Sequence, residues 1–386
     1  MRDIVPPEAE LRRRVANRIL DVYAGYGYEV IETPAFEDLD VLVGSDGGDN
    51  EKLIFKVLKR GAKLDEGLRP GGELADAGLR FDLTVPLARF VANHLNDLPI
   101  PFKVAHIAPV WRAERPQRGR FREFTQCDID IVGEPSIAAE VELCSATLDV
   151  LENIGIGGCT VRLNDRRLLR AAVETYLGPL HNAGAVYIAL DKLDKIGADA
   201  VAAELAAYDP LGVQALLKWL QEGDISVGPD AVAEDLGQTL GALARLGHSA
   251  RFDPTLVRGM GYYTGQIFEV SHPDVPYSLA GGGRYDGMTA RFGAPGLPMC
   301  GFSIGFERVC PLVDPSVFGP ARRKVAITCA GEEEMLRCLE LARLKRAQEP
   351  TAVFSVLRRA RNVRKQQDDL ERLGYSEVVE GRDFSA

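Results

Sequence analysis

Residues 110–130 constrain the fold more than any other part of this sequence, because they predict two long strands joined by an arginine-rich loop. Five arginines lie within residues 112–122. In the second strand, Gln126, Asp128 and Asp130 occupy every second position, so their side chains share one face of the sheet. A polar stripe inside a sheet requires polar partners. The arginines are either exposed surface residues or contacts for an anion, and their density favours the anion.

Two further segments combine arginine, tyrosine and glycine in a β context. They are residues 257–265, Val-Arg-Gly-Met-Gly-Tyr-Tyr-Thr-Gly, and residues 280–287, Ala-Gly-Gly-Gly-Arg-Tyr-Asp-Gly. Glycine lets the backbone approach a ligand closely, arginine neutralises anions, and tyrosine can form the wall of a pocket. Together with the arginine-rich loop, these segments predict one deep site for a small polar molecule and a phosphate.

The order of predicted strands and helices divides the chain into a core, an insertion and a small terminal domain. Residues 1–165 and 247–313 mix long strands with helices that do not alternate regularly. This favours an α+β fold, with an antiparallel sheet flanked by helices, over a doubly wound fold. Residues 166–246 have apolar side chains at helical spacing and predict an all-helical insertion. Residues 322–386 alternate strand and helix, which predicts a small α/β domain with a parallel sheet.

Charge and cysteine content narrow the possible functions. The net charge of −10 does not indicate a general nucleic-acid binder. Residues 321–386 nevertheless carry +3 against −13 for the rest, which is either a solvated helix face or a weak electrostatic footprint for RNA. The seven cysteines are scattered, so we expect no structural metal, no disulfide framework and a cytoplasmic location. No segment has the pattern of a signal peptide or a membrane span, so we expect no membrane partner.

Residues 110–130 resemble motif 2 of the class II aminoacyl-tRNA synthetases, in the version found in histidyl-tRNA synthetases. The other motifs of that family have counterparts in the same order. These are motif 1 at residues 28–34, the amino-acid-binding segment at 79–86, the two histidine motifs at 258–265 and 281–287, and motif 3 at 301–308. The resemblance implies a class II catalytic core, a homodimer formed through motif 1, and an anticodon-binding-like domain at residues 322–386. This domain is shorter than is usual in the family.

The resemblance implies an ATP site built from motifs 2 and 3. The implied contacts are Arg112 with the α-phosphate, Glu114 with the adenine amino group, Phe124 beneath adenine, Arg120 with the bent triphosphate, and Arg308 with the other face of adenine and the γ-phosphate. Mg²⁺ is expected with ATP because a triphosphate must be neutralised, although the sequence contains no dedicated set of metal ligands.

The resemblance also implies a site for L-histidine beside the ATP. In it, Asp82, Thr84 and Gln126 surround the α-ammonium, Asp130 with Tyr263 and Tyr285 reads the imidazole, and Arg258 lies between the carboxylate and the α-phosphate. Arg112 and Arg258 are the catalytic candidates. Negative charge develops on the phosphate as the carboxylate attacks, and guanidinium groups aimed at it lower the barrier. A buried acid such as Asp130 also rejects apolar amino acids, which would leave it unpaired.

Three functions are compatible with these residues. A histidyl-tRNA synthetase would activate histidine with ATP and transfer it to tRNA(His). The regulatory subunit of ATP phosphoribosyltransferase, a similar fold, would sense histidine without catalysis, and a free-standing paralogue would activate histidine for another acceptor. A sensor has no use for a complete ATP site, so the sequence favours the enzyme. One departure from the family is Gly261, which stands where aspartate is usual.

Overall fold

The computed structural model describes residues 2–43, 50–115, 121–180, 183–258, 261–320 and 322–385. The chain forms two compact units. One contains Met1–Asp3 and Arg12–Asp314, and the other contains Ile4–Leu11 and Pro315–Ala386. The domain limits expected at residues 165, 246 and 313 stay predictions.

The strands of the described residues belong to three sheets. In chain order they are β1 Glu29–Val30, β2 Phe36–Asp38, β3 Lys56–Leu58, β4 Ala75–Leu79, β5 Phe102–Trp111, β6 Glu123–Val132, β7 Thr160–Asp165, β8 Ala250–Phe252, β9 Gln266–His272, β10 Val275–Arg284, β11 Met299–Gly305, β12 Lys324–Cys329, β13 Val353–Arg358 and β14 Glu377–Glu380.

Helices cover these sheets and fill the region between β7 and β8. They are α1 Pro6–Gly25, α2 Leu39–Leu42, α3 Ala62–Gly67, α4 Thr84–His94, α5 Ala138–Asn153, α6 Arg166–Leu177, α7 Gly184–Leu190, α8 Leu193–Ile196, α9 Ala198–Glu204, α10 Pro210–Glu222, α11 Asp230–Arg245, α12 Phe306–Val309, α13 Glu332–Gln348 and α14 Val363–Arg372. Short 3₁₀ turns lie at Asn50–Leu53, Ile225–Val227, Met288–Phe292, Cys310–Leu312, Pro315–Phe318 and Gly381–Asp383. Within the described ranges, no helix combines the length and the apolar character that crossing a bilayer requires.

The main sheet has eight strands in the order β1-β5-β6-β11-β10-β9-β7-β8. In the sheet, the neighbouring strands β5-β6-β11-β10-β9-β7 pair antiparallel. The short edge strands β1 and β8 pair parallel with their neighbours. The predicted antiparallel sheet with flanking helices is therefore confirmed. The small sheet β2-β4-β3 lies in the same unit, and its central strand β4 precedes α4 in the chain.

The β5–β6 hairpin forms because its strands alternate in polarity. Cys127, Ile129 and Ile131 point to one face and are buried in the core, whereas the polar residues between them point to the other face. On β11, Ser303 pairs with Asp128 and Gly301 with Asp130. The polar stripe predicted from the sequence thus runs along the centre of the sheet.

Two strands differ in length from the sequence prediction. β1 is only Glu29–Val30, although residues 28–33 alternate like a longer strand. The strand expected at residues 276–279 instead continues to Arg284 as β10, and it includes three consecutive glycines. Glycine weakens a strand because it loses more backbone entropy on folding than other residues do and has no side chain to pack. Here β9 and β11 pair with these glycines on both sides, which offsets that cost.

The second unit contains the parallel sheet β13-β12-β14. Val325, Ile327 and Phe354 form its core with the buried side of α13. The predicted β-α-β-α-β alternation and parallel pairing are confirmed for this unit.

Candidate active site

A cavity of about 820 Å³ opens over the polar face of the main sheet. Residues from β6, β9, β10 and β11 line it, together with the segments that precede α4 and β9. The site residues predicted from the sequence that line this cavity are Asp82, Thr84, Arg112, Glu114, Phe124, Gln126, Asp130, Arg258, Tyr263, Tyr285 and Arg308. Arg120 lies outside the described residues. The structure therefore brings the separate motifs to one place.

Asp130 lies at the deep end of the cavity. It is 5% exposed, and its Oδ1 accepts a hydrogen bond from the Tyr285 hydroxyl at 2.5 Å. Burial raises the pKa of Asp130 well above its usual value, and the neighbouring Asp128 raises it further. A carboxyl group with a raised pKa can share a proton with an imidazole, since the pair is satisfied whichever partner holds it.

A buried ion pair fixes the backbone beside Tyr285. The Arg284 guanidinium donates to both carboxylate oxygens of Glu140 on α5, at 2.6 and 2.7 Å. It also donates to the carbonyl oxygens of Glu134 and Ser136. Two parallel bonds to one carboxylate restrict both distance and orientation. The end of β10 is thereby tied to α5, which holds the Tyr285 ring against Asp130.

Asp82 and Thr84 lie where the chain enters α4. Asp82 is 2% exposed, and its Oδ1 accepts from the backbone N–H of Val85 at 3.2 Å. The preceding Arg80 donates to the carbonyl oxygens of Thr33 at 2.7 Å and Pro109 at 2.9 Å. This buried arginine therefore links the motif 1 segment, β5 and the amino-acid-binding segment.

Arg258 lines the same cavity. Among the residues that the structure describes, it is the one non-glycine residue with positive φ, at 51°. Such backbone strain costs about 1–3 kcal/mol and concentrates at functional sites. The Arg258 Nη1 lies 3.1 Å from Glu269 Oε1 on β9, and its guanidinium lies 5.9 Å from the centre of the Tyr263 ring. A Cβ atom at Gly281 would lie 1.6 Å from Nη1, so this arginine requires glycine beside it.

Arg112 and Arg308 also line the cavity, as does Arg162. Arg112 donates from Nε to the carbonyl oxygen of Phe81 at 3.0 Å, and its guanidinium lies 5.0 Å from the centre of the Phe124 ring. Arg308 donates to the carbonyl oxygen of Ser278 at 2.8 Å and lies 5.8 Å from the Tyr277 ring. Guanidinium groups near aromatic rings form a surface suited to a flat, anionic ligand such as a nucleotide.

Glu307 of motif 3 is a structural partner within the same unit. Its two oxygens accept from the guanidinium of Arg12 at 2.6 and 2.7 Å, and one also accepts from the backbone N–H of Thr125 at 3.3 Å. These bonds tie α1 and β6 to the start of α12, next to Arg308.

Asp128 was given no ligand role from the sequence, and Glu269 was not singled out, although both residues line the cavity. Glu269 contacts Arg258 and lies within 3.9 Å of Arg162 Nη1, and Asp128 contacts Gln126. A signal was present for each, because Glu269 interrupts an apolar strand and Asp128 belongs to the polar stripe. Glu269 also places a carboxylate beside Arg258, although Gly261 supplies none.

Comparison with known proteins was informative. A family model for histidyl-tRNA synthetase matches residues 1–309. A histidine–tRNA ligase from Leifsonia xyli subsp. xyli is 47% identical over 350 residues, which cover 83% of this chain and 80% of the relative. The crystal structure of histidyl-tRNA synthetase from Nostoc sp. PCC 7120 has a TM-score of 0.75 at 25% identity, covering 97% of this chain and 88% of that one.

A second solved structure supports the fold alone. It is a Bacillus halodurans C protein described as an ATP phosphoribosyltransferase regulatory subunit/histidyl-tRNA synthetase. It has a TM-score of 0.78 at 21% identity and covers 98% of this chain and 96% of that one. The architecture is thus that of the class II aminoacyl-tRNA synthetases. The sequence matches are closer still, and they show that the chain belongs to the histidyl-tRNA synthetase family.

Proposed function

We propose that this chain activates L-histidine with ATP to form histidyl-adenylate and then transfers the histidyl group to tRNA(His). One observation carries the proposal most directly. Arg112, Glu114, Phe124 and Arg308 line the same cavity as Asp130 and the rest of the amino-acid pocket. A protein that only sensed histidine would need the pocket without the nucleotide-binding residues.

In the first step, a carboxylate oxygen of histidine attacks the α-phosphorus of ATP and pyrophosphate leaves. Arg258 and Arg112 stabilise the charge that develops on the α-phosphate, because preorganised donors in a dry site need no reorganisation. The substrate supplies the nucleophile, so the enzyme contributes mainly orientation and electrostatic stabilisation. In the second step, a hydroxyl of the terminal ribose of tRNA attacks the histidyl carbonyl carbon and AMP leaves.

The amino-acid pocket would read both ends of histidine. Asp82, Thr84 and Gln126 would surround the α-ammonium, and Asp130 with Tyr285 would pair with the imidazole, beside Tyr263. The carboxylates of Asp82, Asp128 and Asp130 give this end of the cavity a negative character that suits a cationic ligand.

The nucleotide end would hold ATP in a bent conformation. Phe124 and Arg308 would enclose adenine, Glu114 would accept from its amino group, and Arg308 would also reach the γ-phosphate. Arg120 would contact the triphosphate. We propose that Mg²⁺ enters with ATP as its counter-ion, since the described part of the chain contains no group of three potential metal ligands.

We also propose a cytoplasmic location, since the seven cysteines are free thiols. We propose that residues 321–386, with their net charge of +3, attract tRNA weakly.

The test is histidine-dependent exchange between ATP and labelled pyrophosphate, followed by aminoacylation of tRNA(His) by the same preparation. We expect both activities. Exchange without aminoacylation would point to another acceptor. A folded protein that binds histidine and shows no exchange would refute the enzyme and leave the sensor.

Glu269→Gln tests the partner of Arg258. The substitution keeps the shape of the side chain and removes its charge, so the ion pair that Arg258 makes at 3.1 Å becomes a weaker, neutral contact. A hydrogen bond to a charged group contributes about 1.5–3 kcal/mol, and we therefore expect a loss of about tenfold or more in exchange, mainly in kcat. Glu174→Gln, on the exposed surface of α6, is the control. Unchanged exchange by Glu269→Gln would show that Arg258 is held by other contacts.

We further propose that the protein is a homodimer with a two-fold interface at motif 1. Val30 on the edge strand β1 is 59% exposed, and Phe36 on β2 is 54% exposed. An uncovered strand edge with apolar side chains is a natural site for pairing. We expect a solution mass of twice 42.1 kDa. The double substitution Val30→Asp and Phe36→Asp should yield monomers, whereas the control Leu211→Asp should not. A monomeric wild-type protein at micromolar concentration would contradict the proposal.

A further inference from the structure

The side-chain amide of Gln126 is held from one side. Its Nε2 lies 3.2 and 3.3 Å from the two carboxylate oxygens of Asp128 and 3.3 Å from Ser303 Oγ on the neighbouring strand β11. Its Oε1 is buried and has no hydrogen-bond partner among the residues that the structure describes. An amide oxygen with no partner, at a residue lining the cavity, is available to a ligand.

Chemistry alone fixes which end of the amide faces Asp128. An ionised carboxylate only accepts hydrogen bonds, so an amide oxygen placed at 3.2 Å from it would be repelled. When Asp128 is ionised, the amide nitrogen therefore faces it and the amide oxygen faces away. Without Asp128, Gln126 could present either its NH₂ group or its oxygen to the cavity. An NH₂ group facing the cavity would repel an ammonium ion.

A buried carboxyl group such as that of Asp128 is unusual. It is 5% exposed, and burial raises its pKa to about 7, against the opposing effect of its bonds to Ser303 and Gln126. The nearby Asp82 carboxylate raises the pKa further, and Arg112 lowers it. A buried acid with this environment destabilises the folded chain when ionised, which calls for a functional reason.

We propose that Asp128 is a positioning residue for substrate recognition: with Ser303, it orients the Gln126 amide so that Oε1 accepts a hydrogen bond from the α-ammonium of the bound amino acid. This inference rests on the proposed function, because it takes histidine as the ligand. The ammonium in turn favours the ionised form of Asp128, so the ligand and the acid stabilise each other. Asp128 itself acts through Gln126.

The test compares two ligands that differ only at the α-ammonium. They are L-histidine and 3-(imidazol-4-yl)propionate, and their binding to the full chain is measured by calorimetry for the wild type and for Asp128→Asn. We expect the variant to bind histidine about 10- to 100-fold more weakly, since a hydrogen bond to a charged group is involved. Its affinity for the propionate should change by less than about threefold, within the range of an ordinary surface substitution. In exchange, KM for histidine should rise while kcat changes little.

A double-mutant cycle separates orientation from general damage. In a Gln126→Ala background, Asp128→Asn should no longer alter the preference for histidine over the propionate, because the amide that it orients is gone. Ser303→Ala is the second variant; it should weaken histidine binding alone, by less than Asp128→Asn does. It also serves as the test if Asp128→Asn does not fold.

The outcomes distinguish this inference from the proposed function. If Asp128→Asn or Ser303→Ala weakened the binding of both ligands equally, the positioning role would be overturned. The proposed enzyme activity would stand. No change in the binding of either ligand would have the same consequences. A folded wild-type chain that fails to bind histidine would overturn the proposed function, and this inference with it.

Discussion

Arg258→Ala is expected to lower histidine-dependent ATP–pyrophosphate exchange by about 10³-fold or more, the scale seen when a transition-state cation or donor is removed. Histidine should still bind measurably, because Asp82, Gln126 and Asp130 remain in place. Exchange should suffer more than binding, because the negative charge on the α-phosphate increases as the histidine carboxylate attacks. The measurement is the steady-state rate of ATP–pyrophosphate exchange, beside direct histidine binding.

Arg258→Lys and Arg170→Ala are the matched controls for this prediction. Lysine keeps the positive charge without the forked donors, so Arg258→Lys should recover only part of the rate. Arg170 is an exposed arginine on α6, paired with Glu174, and Arg170→Ala should leave exchange unchanged. If Arg258→Ala lost histidine binding and exchange to the same extent, Arg258 would be chiefly structural.

Asp130→Leu should reduce kcat/KM for histidine about 10³- to 10⁴-fold, approaching the discrimination of sites that hydrogen-bond their substrate. Leucine has no polar group at this position and leaves the imidazole and the Tyr285 hydroxyl without their partner. KM for ATP should change little, since none of the proposed ATP contacts involves Asp130. The measurement is exchange at varied histidine and at varied ATP, with thermal unfolding to check the fold.

Asp130→Asn provides a graded comparison, because asparagine keeps the shape and one hydrogen bond. It should lose less activity than Asp130→Leu. Asp274→Asn, in the exposed turn between β9 and β10, should lose none. A loss below tenfold for Asp130→Leu would show that the imidazole is read by other residues.

Much of the cavity could be predicted because strand alternation is a local property of sequence. The period of two in β6 predicted that Gln126 and Asp130 share a face, and the structure places both on the cavity side. The sequence predicts helices at residues 137–154 and 332–348, and α5 and α13 end within one residue of these limits. These elements need no knowledge of distant partners.

Other parts could not be predicted, because they depend on how distant strands pair. The pairing of Gly281 with Glu269 places a carboxylate beside Arg258, and no local pattern specifies that register. A strand is expected at residues 276–279, whereas β10 runs from Val275 to Arg284 and includes the glycines. The strand is longer than expected because β9 and β11 pair with the glycines on both sides. The positive φ of Arg258 is likewise set by its surroundings.

The glycines beneath the charged groups limit how this pocket can change during evolution or engineering. A Cβ atom at Gly301 would lie 1.8 Å from Asp130 Oδ1, just as one at Gly281 would meet Arg258. The floor of the pocket can therefore accept no side chain without displacing a group that the reaction needs. A variant that admits a larger histidine analogue must obtain its space from the tyrosine walls, at Tyr262, Tyr263 or Tyr285. Libraries directed at those three positions are the practical route to charging tRNA with new imidazole amino acids.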